Sequence, residues 1–118
     1  MSTPPYQWSV FNVDLDPVVG SEQAGRRPVI VVSREVANAA LPVVTVIPLT
    51  RRKSGRRIYP NEALVSNGTA GLTHDSVAMA HQIRTLSKHR LGSHVGRIDE
   101  PDVRAQIQRA LRTHLDLD

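Results

Sequence analysis

Residues 20–33 join a turn of small residues to a run of β-branched residues, and they read Gly20-Ser21-Glu22-Gln23-Ala24-Gly25-Arg26-Arg27-Pro28-Val29-Ile30-Val31-Val32-Ser33. The two glycines permit a tight loop, and Pro28 fixes φ just before residues that are typical of a buried strand. We therefore predict a loop that enters a strand over Val29–Ser33. At that junction the Arg27 guanidinium can be held by its surroundings and aimed at a phosphate or a carboxylate.

The length and charge of the chain set the class of partner. Its 118 residues predict a single domain, residues 1–118, that is large enough to bury a core. Lys and Arg number 15 against 11 Asp and Glu, and the resulting net charge of +4 favours an anionic partner such as nucleic acid. The alternative is a basic surface with no such partner.

Composition also excludes several classes of site. The absence of cysteine rules out disulfides, thiolate catalysis and cysteine-based zinc sites. No apolar stretch approaches the ~20 residues that span a bilayer, and residues 1–5 do not resemble a signal peptide, so we expect a cytoplasmic protein. Only four aromatic residues are present, too few for an extended platform of stacked bases. Any RNA must be held mainly by charge and by polar contacts.

Alternating apolar residues predict the strands of a mainly β domain. Tyr6, Trp8 and Val10 alternate on one face, and the alternation from Phe11 to Leu15 runs on the other; this phase slip predicts a strand with a β-bulge. Many short strands separated by turns are typical of a barrel or a sandwich. The further predicted strands are Val29–Ser33, Val43–Thr50, Ile58–Ser66, Ser76–Ala80, Gln82–Leu86 and Ser93–Arg97.

Three local signals refine this pattern. Pro48 donates no backbone hydrogen bond, so we expect it at a sheet edge or a bulge. Residues 87–90 predict a turn that forms one helical turn. From Asp99 onwards, with Pro101 and Asp102 in the first turn, apolar residues recur at helical spacing and predict a C-terminal helix that covers the barrel. Its apolar stripe consists of Val103, Ile107, Ala110, Leu111 and Leu115.

A basic loop follows the strand that ends at Thr50. Five of its seven residues are cations, namely Arg51, Arg52, Lys53, Arg56 and Arg57. Such a run is usually a solvated, partly disordered surface. Its position directly after Thr50 favours a second interpretation, in which the loop attracts an RNA backbone and leaves sequence specificity to base contacts elsewhere.

Four segments together resemble the MazF/PemK toxins, the ribonuclease components of bacterial toxin–antitoxin pairs. The likeness runs from about Trp8 to the final helix. The segments are Asn12–Pro17, Gly20–Pro28, Thr45–Thr50 and Asp75–Leu86. The resemblance implies an SH3-like β-barrel with a C-terminal helix, shared with CcdB-like toxins and assembled as a homodimer.

The resemblance also implies the site residues. The family's catalytic arginine and threonine fall on Arg27 and Thr50, and Glu22 takes a supporting catalytic role. Glu22 has a structural alternative, in which its carboxylate accepts from loop N–H groups or pairs with Arg26 or Arg27. RNA contacts are assigned to Arg26, the five cations of the basic loop, His81 and Gln82, and no metal or other cofactor is expected.

The five histidines invite a comparison with ribonucleases that use two histidines. His74 and His89 lie in turn regions and do not look shielded, and His114 lies beside the apolar stripe, where a structural role is expected. Only His81 adjoins a family motif, at a position where the family usually has Glu or Asp. A carboxylate accepts from base amino groups, whereas neutral histidine offers one donor and one acceptor, so the base preference of relatives is not carried over.

The function implied by the resemblance is a sequence-specific, metal-independent endoribonuclease toxin (an mRNA interferase). It cleaves single-stranded RNA to 2′,3′-cyclic phosphate and 5′-hydroxyl ends, and an antitoxin with an acidic C-terminal tail neutralises it. Two alternatives stay open. One is a CcdB-like poison of DNA gyrase, which works through a tryptophan near its C-terminus, whereas the tryptophan here is Trp8. The other is a nucleic-acid-binding barrel without catalysis.

Overall fold

The protein is represented by a computed structural model, which describes residues 4–118. Over these residues the chain forms seven strands, two α-helices and three 3₁₀ turns. The strands are β1 (Ser9–Asp14), β2 (Arg26–Val31), β3 (Val43–Arg51), β4 (Glu62–Val65), β5 (Ser76–Met79), β6 (Arg84–Ser87) and β7 (His94–Arg97). The helices are α1 (Glu35–Ala40) and α2 (Pro101–Leu115), and the 3₁₀ turns are Thr69–Gly71, Ala80–Gln82 and Lys88–Arg90. Within residues 4–118, no helix has the length and apolar character needed to cross a membrane.

All seven strands join one antiparallel sheet in the order β4-β5-β3-β2-β1-β7, with β6 paired to β3. The nine-residue β3 is the central strand. On one side it pairs with β2, and on the other it pairs first with β6, over Val43–Val46, and then with β5, over Leu49–Arg51. Pro48 lies in the gap between these two partners, which explains how the sheet accommodates a residue without an N–H.

The predicted bulge in β1 is confirmed. The pairing of β1 with β7 shifts register between Val10 and Phe11. Because neighbouring residues of a strand point to opposite faces, Val10 packs with Trp8 in one core, whereas Phe11 packs with Val13 and Leu15 in another. Tyr6 is an exception to the prediction, because it precedes the strand and packs in the same core as Phe11.

Helix α2 covers the first of these cores. Ile107 and Ala110 are buried among the apolar residues of β1, β2 and β3, and Val103 and Leu111 pack against them. Leu115, predicted to complete this stripe, is 46% exposed, because the helix ends at that residue. The predicted class, mainly β with a C-terminal helix, is thus confirmed.

Strand bounds and one helix differ from the prediction. Strand β2 begins at Arg26 instead of Val29, and β4 is confined to Glu62–Val65, because Tyr59 to Glu62 close a turn in which the Glu62 N–H donates to the Tyr59 carbonyl. Helix α1 was not predicted. Its six residues are held by a tertiary contact, since the Glu35 carboxylate accepts hydrogen bonds from the Tyr6 and Gln7 N–H groups at 2.8–3.0 Å.

Candidate active site

Arg27 and Thr50, separated by 23 positions in sequence, meet on neighbouring strands. The antiparallel register of β2 and β3 pairs Val29 with Pro48. Arg27, two residues earlier in β2, therefore lies opposite Thr50, two residues later in β3. Arg27 Nη1 donates a hydrogen bond of 3.2 Å to Thr50 Oγ1. Because the threonine oxygen accepts this bond, its own hydrogen is free to donate elsewhere.

The Arg27 guanidinium is fixed on its other side by the loop that precedes β2. Its Nε donates to the Ala24 carbonyl at 2.7 Å. In the amide orientation that satisfies its surroundings, the Gln23 side-chain oxygen accepts from Arg27 Nη2, also at 2.7 Å. The half-buried cation therefore has a defined direction and keeps N–H groups for an anion.

Glu22 takes the structural contact that the sequence left open. Its Oε1 accepts from the Val19 N–H at 2.6 Å and closes the turn over residues 19–22. Within residues 4–118, Glu22 forms no ion pair with either neighbouring arginine. The exposed carboxylate also lines a cavity of about 160 Å³, here called the first cavity, together with Gln23, His81, Gln82 and Arg84.

Gln82 connects this loop to the sheet. Its Oε1 accepts from the Gln23 N–H at 3.0 Å, and its Nε2 donates to the Ser21 carbonyl at 3.1 Å. The Gln82 amide thus accepts one bond from the loop backbone and donates one to it, as a neighbouring strand would. It thereby positions the loop whose residues contact Arg27. This positioning contact was not anticipated from sequence, where Gln82 was assigned to RNA binding.

His81, by contrast, is exposed at the rim of the same cavity. Its ring centroid lies 6.4 Å from that of His114, at an interplanar angle of 65°. The sequence placed His114 in a structural position beside the apolar stripe of α2, and this was wrong: the side chain is exposed and faces His81, because it lies one turn beyond the residues that pack on the sheet.

The basic loop is braced internally. Arg52 donates through Nε and Nη2 to the Arg56 carbonyl at 3.1 and 2.9 Å. Arg56 forms a bidentate ion pair with Glu62, at 3.0 and 2.7 Å, and this pairing lowers the pKa of the buried Glu62 carboxyl. Two of the five cations are therefore committed to the fold. The exposed cations are Arg51, Lys53 and Arg57.

Arg26 does not join Arg27. Neighbouring residues of a strand point to opposite faces, and Arg26 pairs in register with Asp14 of β1. Arg26 lines a cavity of about 300 Å³ with His89 and Arg90. Arg26, a predicted RNA contact, therefore lies on the face of β2 opposite Arg27.

Another cavity, here called the second cavity, adjoins the pair on the side of Thr50. It has a volume of about 190 Å³, and its polar lining comes from Thr50, Arg51, Thr73, His74 and Ser76. His74 was placed in a turn, which is correct, but its nearness to Thr50 was missed. The turn leads into β5, and only the pairing of β5 with β3 brings the two together.

Within residues 4–118, no group of three or more His, Cys, Asp or Glu side chains is arranged to hold a metal ion. The pair itself supplies an oriented guanidinium and a hydroxyl. The titratable side chains beside it are Glu22 and His81 in the first cavity and His74 in the second.

Known proteins resemble this chain in sequence and in fold. Residues 6–115 match the model of a family described as PemK-like, MazF-like toxins of type II toxin-antitoxin systems. The chain is 41% identical to endoribonuclease MazF9 of Mycobacterium tuberculosis (strain ATCC 25618 / H37Rv), over 92% of this chain and 93% of the relative. It is 33% identical to endoribonuclease EndoA of Bacillus subtilis (strain 168), over 92% of this chain and 91% of that protein.

A solved structure extends the likeness to the fold. It holds an endoribonuclease in complex with its cognate antitoxin from a mycobacterial species, and it superposes with a TM-score of 0.79 at 28% identity over 98% of each chain. The predicted toxin barrel with a C-terminal helix is therefore confirmed.

Proposed function

Because the chain belongs to the family of PemK-like, MazF-like toxins of type II toxin-antitoxin systems, we propose that it is an endoribonuclease toxin that cuts single-stranded RNA at specific sequences without a metal ion. The single observation that carries the proposal is the 3.2 Å contact between Arg27 Nη1 and Thr50 Oγ1, which joins an oriented cation to a hydroxyl at a cavity. The two relatives described above are both named endoribonucleases.

The chemistry of metal-free RNA cleavage assigns roles to these groups. The 2′-hydroxyl attacks the adjacent phosphorus and loses a proton, while the 5′-oxygen leaves and gains one. Negative charge builds on the non-bridging oxygens, where the fork of Arg27 N–H groups stabilises it. Thr50 donates its free hydrogen to the same phosphate. The products carry a 2′,3′-cyclic phosphate and a 5′-hydroxyl.

Proton removal from the 2′-hydroxyl falls to Glu22 in this proposal. Arginine is a poor base, because its pKa lies above ~12, and the hydroxyl of threonine is a poor proton carrier. The Glu22 carboxylate lines the cavity on the Gln23 side of the guanidinium. Its bond with the Val19 N–H leaves the second oxygen available to accept a proton.

RNA binding is assigned to the exposed groups of the basic loop and of the first cavity. Arg51, Lys53 and Arg57 supply the charge for the backbone, and His81 lies where a base edge would enter the first cavity. Gln82, Arg52 and Arg56 support RNA binding indirectly, since their amide and guanidinium groups hold the two loops in place. Single strands are favoured because duplex stacking hides base edges and holds the sugar and phosphate away from in-line geometry.

A poison of gyrase that works through an exposed tryptophan is disfavoured. The indole of Trp8 is 7% exposed, packs in the core beneath α2 and lies under the Arg104 guanidinium at 5.4 Å. It is not available to insert into a partner.

The partners follow from the same likeness. A solved relative is described as bound to its cognate antitoxin, and we assign this chain an antitoxin whose acidic C-terminal tail lies along the exposed cations, with the toxin acting as a cytoplasmic homodimer. Asp and Glu side chains are drawn to these cations as phosphates are, and a segment that orders on binding covers a large surface.

The decisive experiment incubates total RNA with the purified protein in EDTA and sequences the new 5′-hydroxyl ends. We expect cuts confined to one short sequence motif in unpaired regions, and none with Arg27→Ala. Intact RNA, or cutting that appears only when a divalent metal is added, would overturn the proposal.

A further inference from the structure

We propose that His74 is a catalytic residue of this site, and that its imidazolium donates the proton taken up by the departing 5′-oxygen of RNA. The inference rests on the proposed ribonuclease function and adds the acid that Arg27, Thr50 and Glu22 leave unassigned.

The first observation is the placement of two cavities around one guanidinium. Arg27 contacts Gln23, which lines the cavity of about 160 Å³, and Thr50, which lines the cavity of about 190 Å³. Cleavage by an in-line displacement needs a base beside the attacking 2′-oxygen and an acid beside the leaving 5′-oxygen, on opposite sides of phosphorus. Because the two cavities reach Arg27 through different contacts, Gln23 and Thr50, each could supply one of these groups to a phosphate bound at the pair.

The second observation is what each cavity contains. The first holds the Glu22 carboxylate, which suits the base. The second holds His74, whose imidazole is a side chain that serves as a general acid in catalysis. Its other polar lining groups are hydroxyls and the Arg51 guanidinium, which are poor proton donors.

The third observation is the orientation of the ring. His74 Nδ1 lies 3.0 Å from Thr73 Oγ1, so this hydroxyl occupies one ring nitrogen and leaves Nε2 for the substrate. Two charged residues lie in the neighbourhood of His74. Arg51 lines the same cavity from β3, and Asp75 follows in the chain with its carboxylate accepting from the Asn67 N–H at 2.8 Å.

The step balances without a further reactant. The 2′-oxygen forms its bond to phosphorus as Glu22 takes the hydroxyl proton, the bond from phosphorus to the 5′-oxygen breaks, and the 5′-oxygen takes the Nε2 proton of His74. Glu22 then releases its proton to water, and the neutral imidazole regains one.

The test exploits the leaving group. Single-turnover rates of wild type and of His74→Gln are measured on an oligonucleotide that carries a mapped cut site, and on the same oligonucleotide with sulfur in place of the 5′-oxygen. A thiolate leaves without protonation. We expect His74→Gln to lose about 10²- to 10³-fold on the oxygen substrate, within the range of a general acid, and to approach the wild-type rate on the sulfur substrate.

Controls separate this inference from the proposed function. His89→Gln removes an exposed histidine that does not line this cavity and leaves both rates unchanged, and Arg27→Ala slows both substrates. Equal loss by His74→Gln on the two substrates, or no loss on either, overturns the assignment of His74 while wild-type cutting stands. A wild-type protein that cuts neither substrate overturns the proposed function itself.

Discussion

Arg56 offers the sharpest test of how the basic loop is built, because its guanidinium forms an ion pair with a buried carboxylate. Its guanidinium donates to both oxygens of Glu62, at 3.0 and 2.7 Å, and the Glu62 side chain is 2% exposed against 29% for Arg56. Replacing Arg56 with alanine leaves the buried Glu62 carboxylate without its ion-pair partner. Breaking a buried ion pair costs about 3–5 kcal/mol, and we expect about 3 because Arg56 is partly solvated and the Tyr59 N–H still reaches Glu62 at 3.1 Å.

Urea denaturation at a fixed protein concentration measures this cost. With a slope of about 2 kcal/mol per M, the midpoint of Arg56→Ala falls by about 1.5 M. The matched control is Arg57→Ala, whose exposed guanidinium stacks on Tyr59 at 5.1 Å, and we expect a change below about 0.5 kcal/mol. A double variant, Arg56→Ala with Glu62→Leu, should regain much of the loss, because the buried charge is then gone. Equal midpoints for Arg56→Ala and Arg57→Ala would refute the bracing of the loop.

Three further predictions follow from the site and the charges. Arg27→Ala and Thr50→Ala should each slow cleavage by about 10²- to 10³-fold in single-turnover assays while RNA binding persists, because they act on the charged transition state; more than a tenth of wild-type activity would exclude that role. Replacing Arg51, Lys53 and Arg57 together with serine should reduce the slope of log K against log salt by about 2, at ~0.7 for each lost contact with single-stranded RNA, without moving the cut sites; an unchanged slope would return these cations to plain solvated surface. Stability should fall on acidification. Burial raises the pKa of Glu35, but hydrogen bonds from Gln7, Tyr6 and Asn38 outweigh burial and lower it, and the hydrogen bond with Arg56 lowers the pKa of Glu62. Both carboxylates therefore stabilise the fold above about pH 4.3, and this contribution is lost as the pH drops through their folded pKa. The urea midpoint, compared at pH 7 and pH 3, should change less in Glu35→Gln/Glu62→Gln than in wild type, and an equal change would assign acid sensitivity to other groups.

The strand pattern of this chain was readable because its strands are short and apolar. The run from Val29 identified β2, and the change of apolar face at Phe11 identified the bulge, where β1 shifts register against β7. Helix α1 was unreadable, because its six residues have no apolar stripe and depend on Glu35 reaching the Tyr6 and Gln7 backbone, 28–29 positions away. Contacts of that range leave no local periodic signal.

The candidate site divides in the same way. Arg27 and Thr50 were found through motif likeness, and their meeting needed the register of β2 with β3. His74 received no catalytic role from the sequence, because only the exposure of its side chain was considered. The cavity that it shares with Thr50 exists only when β5 pairs with β3. Charge counting also overstated the basic loop, since composition does not reveal that Arg56 faces a buried Glu62.

The amide of Gln82 has a consequence for engineering new cutting preferences. It ties the turn that reads Ala80-His81-Gln82 to the backbone of Ser21 and Gln23, and Gln23 in turn touches the arginine that would face the scissile phosphate. The segment beside the bases and the loop beside the phosphate are therefore one mechanical unit, although nearly sixty residues separate them. A graft that imports only the 80–84 segment from a relative would shift the catalytic cation along with the specificity, so both pieces must be transplanted together.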